Sequence, residues 1–120
     1  MASKTPKLDS CRALELSVMR DMSVRNAGRL QTTLEALQRL QSLKLKPRPH
    51  LIIGSHVQGF YLTQDVRTIY TCIQRILFTR EAEDIQLMRA VLENHDAVLV
   101  QSDRRVWELK LDIGIVRITL

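Results

Sequence analysis

The chain has 120 residues, of which 45% are hydrophobic and 26% are charged. This balance is typical of a globular domain and excludes a disordered or fibrous chain, and the length leaves little room for a second core. The sequence contains neither a signal-peptide core nor an apolar run long enough to cross a bilayer, so we expect an intracellular protein, cytoplasmic or nuclear, without a membrane span.

The net charge of +5 is unevenly distributed. Residues 1–50 contain ten Lys and Arg against four Asp and Glu, whereas residues 51–120 contain eight against nine. The first half therefore favours an acidic protein partner or nucleic acid. We predict a flexible basic tail over residues 1–8 and a single α+β domain over residues 9–120.

Two helices are predicted in the first half. Apolar residues recur three or four positions apart over residues 10–22, which favours a short helix. A nearly pure leucine stripe then predicts a longer helix, for which Asn26 is a candidate N-cap. The stripe consists of Leu30, Leu34, Leu37, Leu40 and Leu43. Pro47 and Pro49 are incompatible with its continuation, so residues 46–50 are predicted to be a connector.

Short strands and a second helical region are predicted next. Two short apolar runs with a glycine near each, over residues 51–62, favour a pair of strands or one bent strand. From Thr63 onward the apolar residues return to helical spacing, and acidic residues near position 81 suit the start of a helix. The pattern leaves open whether residues 64–94 form one helix or two.

The C-terminal region alternates as strands do. Residues 97–101 and 106–120 are predicted to form a β-hairpin around a polar turn at residues 102–105. The apolar face changes just after Gly114, so either the strand kinks there at a bulge or its end is covered on both faces. The predicted fold is α+β, a small antiparallel sheet packed against helices, in the order α-α-β-β-α(α)-β-β.

The sequence contains no pattern that indicates catalysis. It lacks the glycine-rich phosphate loops, the nucleophile elbow and the zinc-protease helix motif, and its three histidines and two cysteines do not have the spacing of metal ligands. We therefore predict no enzyme activity, no cofactor, no catalytic residue and no metal site.

Two interaction surfaces are predicted instead. A basic face for an acidic partner or nucleic acid is assigned to Arg29, Arg39, Lys44, Lys46 and Arg48. Apolar surface in excess of what a small sheet covers favours self-association, most simply as a homodimer. The candidate self-association residues are Leu30, Leu34, Leu37, Trp107, Leu109, Leu111 and Ile113.

Short motifs in the second half resemble the adenoviral early-region-four proteins from open reading frame three. The similarity comprises the chain length, the order of elements, HVQGFYL at residues 56–62, DVR at residues 65–67 and RVWELKL at residues 105–111. The resemblance implies a non-enzymatic viral accessory protein that dimerises, assembles further in the infected-cell nucleus and captures host regulatory proteins. It also implies a role in assembly for the last strand region, from Trp107 to Ile113.

The function predicted from these observations is that of a self-associating, regulatory interaction protein. The alternative is a small basic module that binds RNA or DNA, but all five aromatic residues lie outside the basic half, where stacking platforms would be needed. A third interpretation is a small subunit of a larger complex.

Overall fold

The computed structural model describes residues 4–43, 52–53 and 63–120, which form four helices and four strands. In chain order the elements are α1 (Lys4–Asp21), α2 (Val24–Ser42), β1 (Ile52–Ile53), α3 (Thr63–Phe78), α4 (Ala82–Glu93), β2 (Val98–Asp103), β3 (Val106–Leu111) and β4 (Gly114–Thr119). The predicted α+β class, with a small antiparallel sheet packed against helices, is confirmed.

The first two helices differ at their starts from the prediction. Helix α1 begins at Lys4, inside the segment predicted to be a flexible tail, and contains Pro6 in its first turn, where the missing N–H has no helical partner to lose. Helix α2 is capped by Ser23, whose Oγ accepts the backbone N–H of Asn26 at 3.3 Å. Asn26 is therefore the third residue of the helix and its side chain serves another purpose, described below.

The helical region after residue 62 is two helices, which settles the point left open by the sequence. Helix α3 ends at Phe78, and Arg80 has a φ of 56°, in the left-handed region. The backbone N–H groups of Thr79 and Arg80 donate to the carbonyl oxygens of Ile76 and Leu77 in a closing turn. This reversal of the backbone ends α3 and lets α4 start in a new direction.

The C-terminal region contains three antiparallel strands, where the sequence predicted a two-stranded hairpin. Residues 112–113 form a two-residue turn, so residues 106–119 are two strands, with Leu111 opposite Gly114 and Leu109 opposite Val116. Opposite residues of antiparallel strands share a face, so this turn accounts for the change of apolar face near Gly114, for which the sequence left open a bulge or a strand end covered on both faces. The irregularity of the sheet lies in β2 instead, between Gln101 and Asp103.

The sheet has the strand order β1-β4-β3-β2. The short strand β1 is parallel to β4, with Ile52 beside Ile115 and Ile53 beside Val116. It falls within the first of the two strand segments predicted over residues 51–62; the second lies outside the described residues. Strand β2 is the edge strand at the other side.

The core lies between one face of the sheet and the helices. Helix α3 contacts β4, α4 contacts β2, α2 packs mainly on α3, and α1 packs on α4 and α2. The side chains buried at this interface are almost all aliphatic, including Leu30, Ile73, Met88, Leu99 and Ile118. None of the helices among residues 4–43 and 63–93 is both long and apolar enough to span a membrane.

Candidate interaction surfaces

The predicted basic face falls only partly within the described residues. Arg29 is half-buried, and its Nη1 donates to the side-chain oxygen of Asn26 at 3.0 Å. Lys44, Lys46 and Arg48 lie outside the described residues. The basic face thus remains a prediction.

Arg39 is bound within the fold. Its Nε and Nη2 both donate to Oδ1 of Asp65, at 3.1 and 3.0 Å, and this bond between α2 and α3 raises the pKa of the guanidinium above its ordinary value. The Arg39 side chain is 59% exposed, whereas that of Asp65 is 11% exposed. Arg39 therefore has a structural role although it is exposed, because it neutralises the nearly buried carboxylate of Asp65.

The structure divides the predicted self-association residues into two groups. Leu30, Leu34, Leu37 and Leu109 are buried in the chain's own core and contribute to no surface of this fold. Trp107, Leu111 and Ile113 are half-buried and retain accessible surface. The burial of the three α2 leucines is explained mainly by the packing of α2 on α3. These leucines therefore cannot contribute to an interface with a second chain.

The face of the sheet that points away from the helices, here called the outer face, is a candidate interface. By register it carries Val98, Val100, Asp103, Val106, Glu108, Lys110, Ile115, Arg117 and Thr119. It lies opposite the face that carries the buried Leu99, Leu109, Val116 and Ile118, against which the helices pack. Its side chains include four aliphatic residues, two acids and two bases, so it is apolar in part and balanced in charge.

Two details define the outer face further. Val98 is 42% exposed, and the other three aliphatic side chains are half-buried. Glu108 and Arg117 form a cross-strand ion pair at 3.3 Å. The charged groups near the centre of this face are thus already partly satisfied, which reduces the cost of covering them.

A groove of about 690 Å³ opens at the end of the sheet beyond α3. It combines aromatic and aliphatic side chains with three arginines and contains no acidic residue. The lining residues are Leu77, Phe78, Arg80, Ala82, Ile85, Gln101, Arg104, Arg105, Trp107 and Leu120. We call this the Trp107 groove.

Sequence reasoning found only one residue of the Trp107 groove. Trp107 was predicted as an interface residue, whereas the three arginines come from separate loops, the α3–α4 connection and the β2–β3 turn. The available signal was the pair Arg104–Arg105 in a predicted turn just before the only tryptophan. The contribution of Arg80 required the tertiary structure.

A buried polar network joins α2, α3 and α4. The Nδ2 of Asn26 donates to Oδ2 of Asp84 at 2.8 Å and to Oγ1 of Thr79 at 3.3 Å, and Oγ of Ser23 donates to the same Asp84 oxygen at 3.1 Å. Asp84 is thereby explained as a structural acceptor in the first turn of α4.

Residues 12–43 and 64–120 contain no group of three or more His, Cys, Asp or Glu side chains placed to hold a metal ion. The imidazole of His95, which follows α4, forms a hydrogen bond with the carboxylate of Glu15 in α1. His50 and His56 lie outside the described residues.

Comparison of the chain with protein-family models, with curated proteins and with solved structures found no match. The resemblance to the adenoviral proteins therefore stays a prediction, and function must be argued from the surfaces themselves.

Proposed function

We propose that the chain is a non-enzymatic interaction protein that forms a homodimer through the outer face of its sheet and binds partner proteins through other surfaces. The observation that carries the proposal is the outer face itself. Four aliphatic side chains are arranged there on three adjacent strands, on the side opposite the buried Leu99, Leu109, Val116 and Ile118 that face the helices. Apolar side chains gathered on an uncovered sheet face offer surface that a partner can bury.

The charge of the outer face favours a second copy of the chain as the occupant. The net charge of +5 comes from the first half of the chain, whose surface would repel a second copy, whereas the outer face holds Asp103 and Glu108 against Lys110 and Arg117. A neutral, partly apolar face can meet its own copy about a twofold axis without net repulsion. Face-to-face packing of two sheets is a common way to bury such surfaces.

The interface is tested with a charge-neutral double variant, Val98→Glu with Val106→Lys. Each new charge has a cross-strand partner of opposite sign, because Val98 lies opposite Lys110 and Val106 lies opposite Asp103. The monomer fold should therefore be retained while the apolar patch is lost. Light scattering after size exclusion should show a concentration-dependent mass approaching twice 13.9 kDa for the wild type and 13.9 kDa for the variant.

The matched control replaces exposed apolar residues on the helices. Leu16→Lys with Val24→Glu is also charge-neutral, and the two positions are 63% and 90% exposed. The control should dimerise as the wild type does. A monomeric wild type, or a dimer lost in the control but kept in the sheet variant, would contradict the proposed interface. Nuclease treatment of the same samples excludes mass contributed by bound nucleic acid.

A further inference from the structure

The Trp107 groove has the chemistry of a binding site for an acidic peptide. Phe78 is 59% exposed and Trp107 is half-buried, which gives the groove an aromatic surface that the chain's own residues leave open to solvent. Its volume of about 690 Å³ lies in the range of pockets that hold small ligands or several side chains. Such a surface suits one or two bulky apolar side chains.

The cationic side chains of the groove have no partner among the described residues. The guanidinium groups of Arg80, Arg104 and Arg105 are exposed and form no ion pair or hydrogen bond with any described residue. The indole N–H of Trp107 likewise has no hydrogen-bond partner among the described residues, and the Trp107 side chain is only half-buried. The groove thus offers an apolar surface beside several unused donors, three of them cationic.

We propose that the Trp107 groove binds a short acidic segment of a partner protein, with a bulky apolar side chain on Trp107 and Phe78 and carboxylates on the three arginines. This inference rests on the proposed function, because it names the class of partner for that interaction protein. It uses a site distinct from the outer face of the sheet, so the two can be tested separately.

The charges beside the groove favour a peptide over nucleic acid. Glu81 follows Arg80 in the chain and Asp103 precedes Arg104, so the arginines do not belong to a continuous run of basic residues. A nucleic-acid strand carries a charge at every nucleotide and needs a continuous cationic track. In a peptide, by contrast, negative charge is confined to the positions of its acidic residues. A local cluster of three arginines, which bind carboxylates in a planar, bidentate manner, suits the second pattern.

The single tryptophan of the chain provides the measurement. The probe is a synthetic peptide in which glutamates flank a central Leu-Phe pair, and the control peptide has glutamine in place of every glutamate. Titration of the wild type with the acidic peptide should shift Trp107 emission to shorter wavelength and saturate. The glutamine peptide should bind at least about tenfold more weakly, because each of several charge pairs contributes to affinity.

Variants then test the arginines. Arg104→Gln with Arg105→Gln should weaken the acidic peptide about tenfold, and Arg80→Gly should weaken it several-fold. The matched control, Arg20→Gln with Arg25→Gln, removes two exposed arginines at the α1–α2 connection and should leave the affinity unchanged. Circular dichroism and the melting temperature confirm that each variant is folded.

Several results would overturn the proposal. These are an unsaturated titration without an emission shift, equal binding of the glutamine peptide, or equal weakening by the control arginine pair. Tighter binding of an oligothymidine, with quenching of Trp107 and loss of the acidic-peptide response, would assign the groove to nucleic acid. The light-scattering mass of the same samples separates the two hypotheses: a dimer that fails to bind the peptide overturns only the groove, and a monomer that binds it overturns only the dimer.

Discussion

At the scale of single residues, Asn26 shows how a polar side chain fixes the arrangement of three helices. It is 1% exposed, and its amide connects α2 to Asp84 of α4 and to Thr79 after α3. The amide oxygen accepts a hydrogen bond from Arg29. An apolar residue here would leave the buried carboxylate of Asp84 with Ser23 as its remaining side-chain donor, and a buried charge with too few partners is costly.

Asn26→Ala is therefore expected to lower the free energy of unfolding by about 2–3 kcal/mol. Glu83→Gln is the control, because Glu83 is exposed in the same turn of α4 as Asp84, and it should change stability by less than about 0.5 kcal/mol. Urea unfolding at one fixed protein concentration measures both. A loss below about 1 kcal/mol for Asn26→Ala would show that the network contributes little to stability.

Cys72 gives a prediction about pH. Burial raises the pKa of its thiol, and a hydrogen bond with Thr33 and the charges of Arg75 and Arg29 oppose this effect without cancelling it. The folded state thus holds the thiol proton more tightly than the unfolded state. Stability is unaffected by this group below the unfolded pKa of about 8.5 and falls as the pH rises above it.

Cys72→Val is the variant that isolates this effect. The difference in unfolding free energy between wild type and variant should be constant from pH 6 to about pH 8. Above about pH 8.5 the wild type should lose stability relative to the variant as the pH rises. Other groups that titrate at high pH are common to both proteins and cancel in the difference. A difference that does not change with pH would contradict the raised pKa.

At the scale of elements, the connection between α3 and α4 carries local strain at the Trp107 groove. Arg80 has a φ of 56°, a conformation that glycine adopts freely and that costs other residues energy. The same residue presents one of the three guanidinium groups of the groove that have no partner among the described residues. Strained residues are often found at functional sites, where the position serves binding rather than stability.

Arg80→Gly should leave stability unchanged or raise it by up to about 1 kcal/mol, because relief of the strain offsets the greater flexibility of glycine in the unfolded chain. The melting temperature would then rise by as much as about 3–6 °C. Asp96→Gly is the control, since Asp96 has a φ of 58° and does not line the Trp107 groove. Asp96→Gly should change the free energy of unfolding about as much as Arg80→Gly does. In the peptide titration it should bind the acidic peptide as tightly as the wild type. Clear destabilisation by Arg80→Gly would mean that the arginine side chain has a structural role.

At the scale of the whole molecule, the size of the outer face limits the strength of the proposed dimer. Three strands of about six residues span roughly 20 Å by 14 Å, which is small beside the roughly 800 Å² per partner of a typical stable interface. We therefore expect a dimer that dissociates on dilution into the low micromolar range. A mass that stays dimeric at nanomolar concentration would indicate a larger interface, with contributions from outside the outer face.

Local pattern and tertiary structure determined different parts of this molecule. Apolar periodicity in the sequence predicted helix α2, the helical region of α3 and α4, the strands near the C-terminus and the α+β class, because periodicity reports which residues of one element share a face. It misplaced the cap of α2, and it treated residues 106–120 as one strand, where the structure has two strands joined by the turn at residues 112–113. Both errors concern short-range geometry, because a short segment of sequence is often compatible with more than one local backbone conformation.

The sequence by itself determined which faces are apolar, but only the tertiary structure decided what covers each of them. Four leucines of the stripe, Leu30, Leu34, Leu37 and Leu40, are buried, mainly where α2 packs on α3, whereas Leu43 is 39% exposed. The outer face of the sheet lies on the side away from the helices. The same holds for charged side chains. Arg39 binds Asp65, which lies 26 positions further along the chain, and Arg80 lines the Trp107 groove together with Arg104 and Arg105 because of the tertiary structure. Contacts between residues far apart in the chain depend on how complete elements pack, and no local pattern encodes that packing.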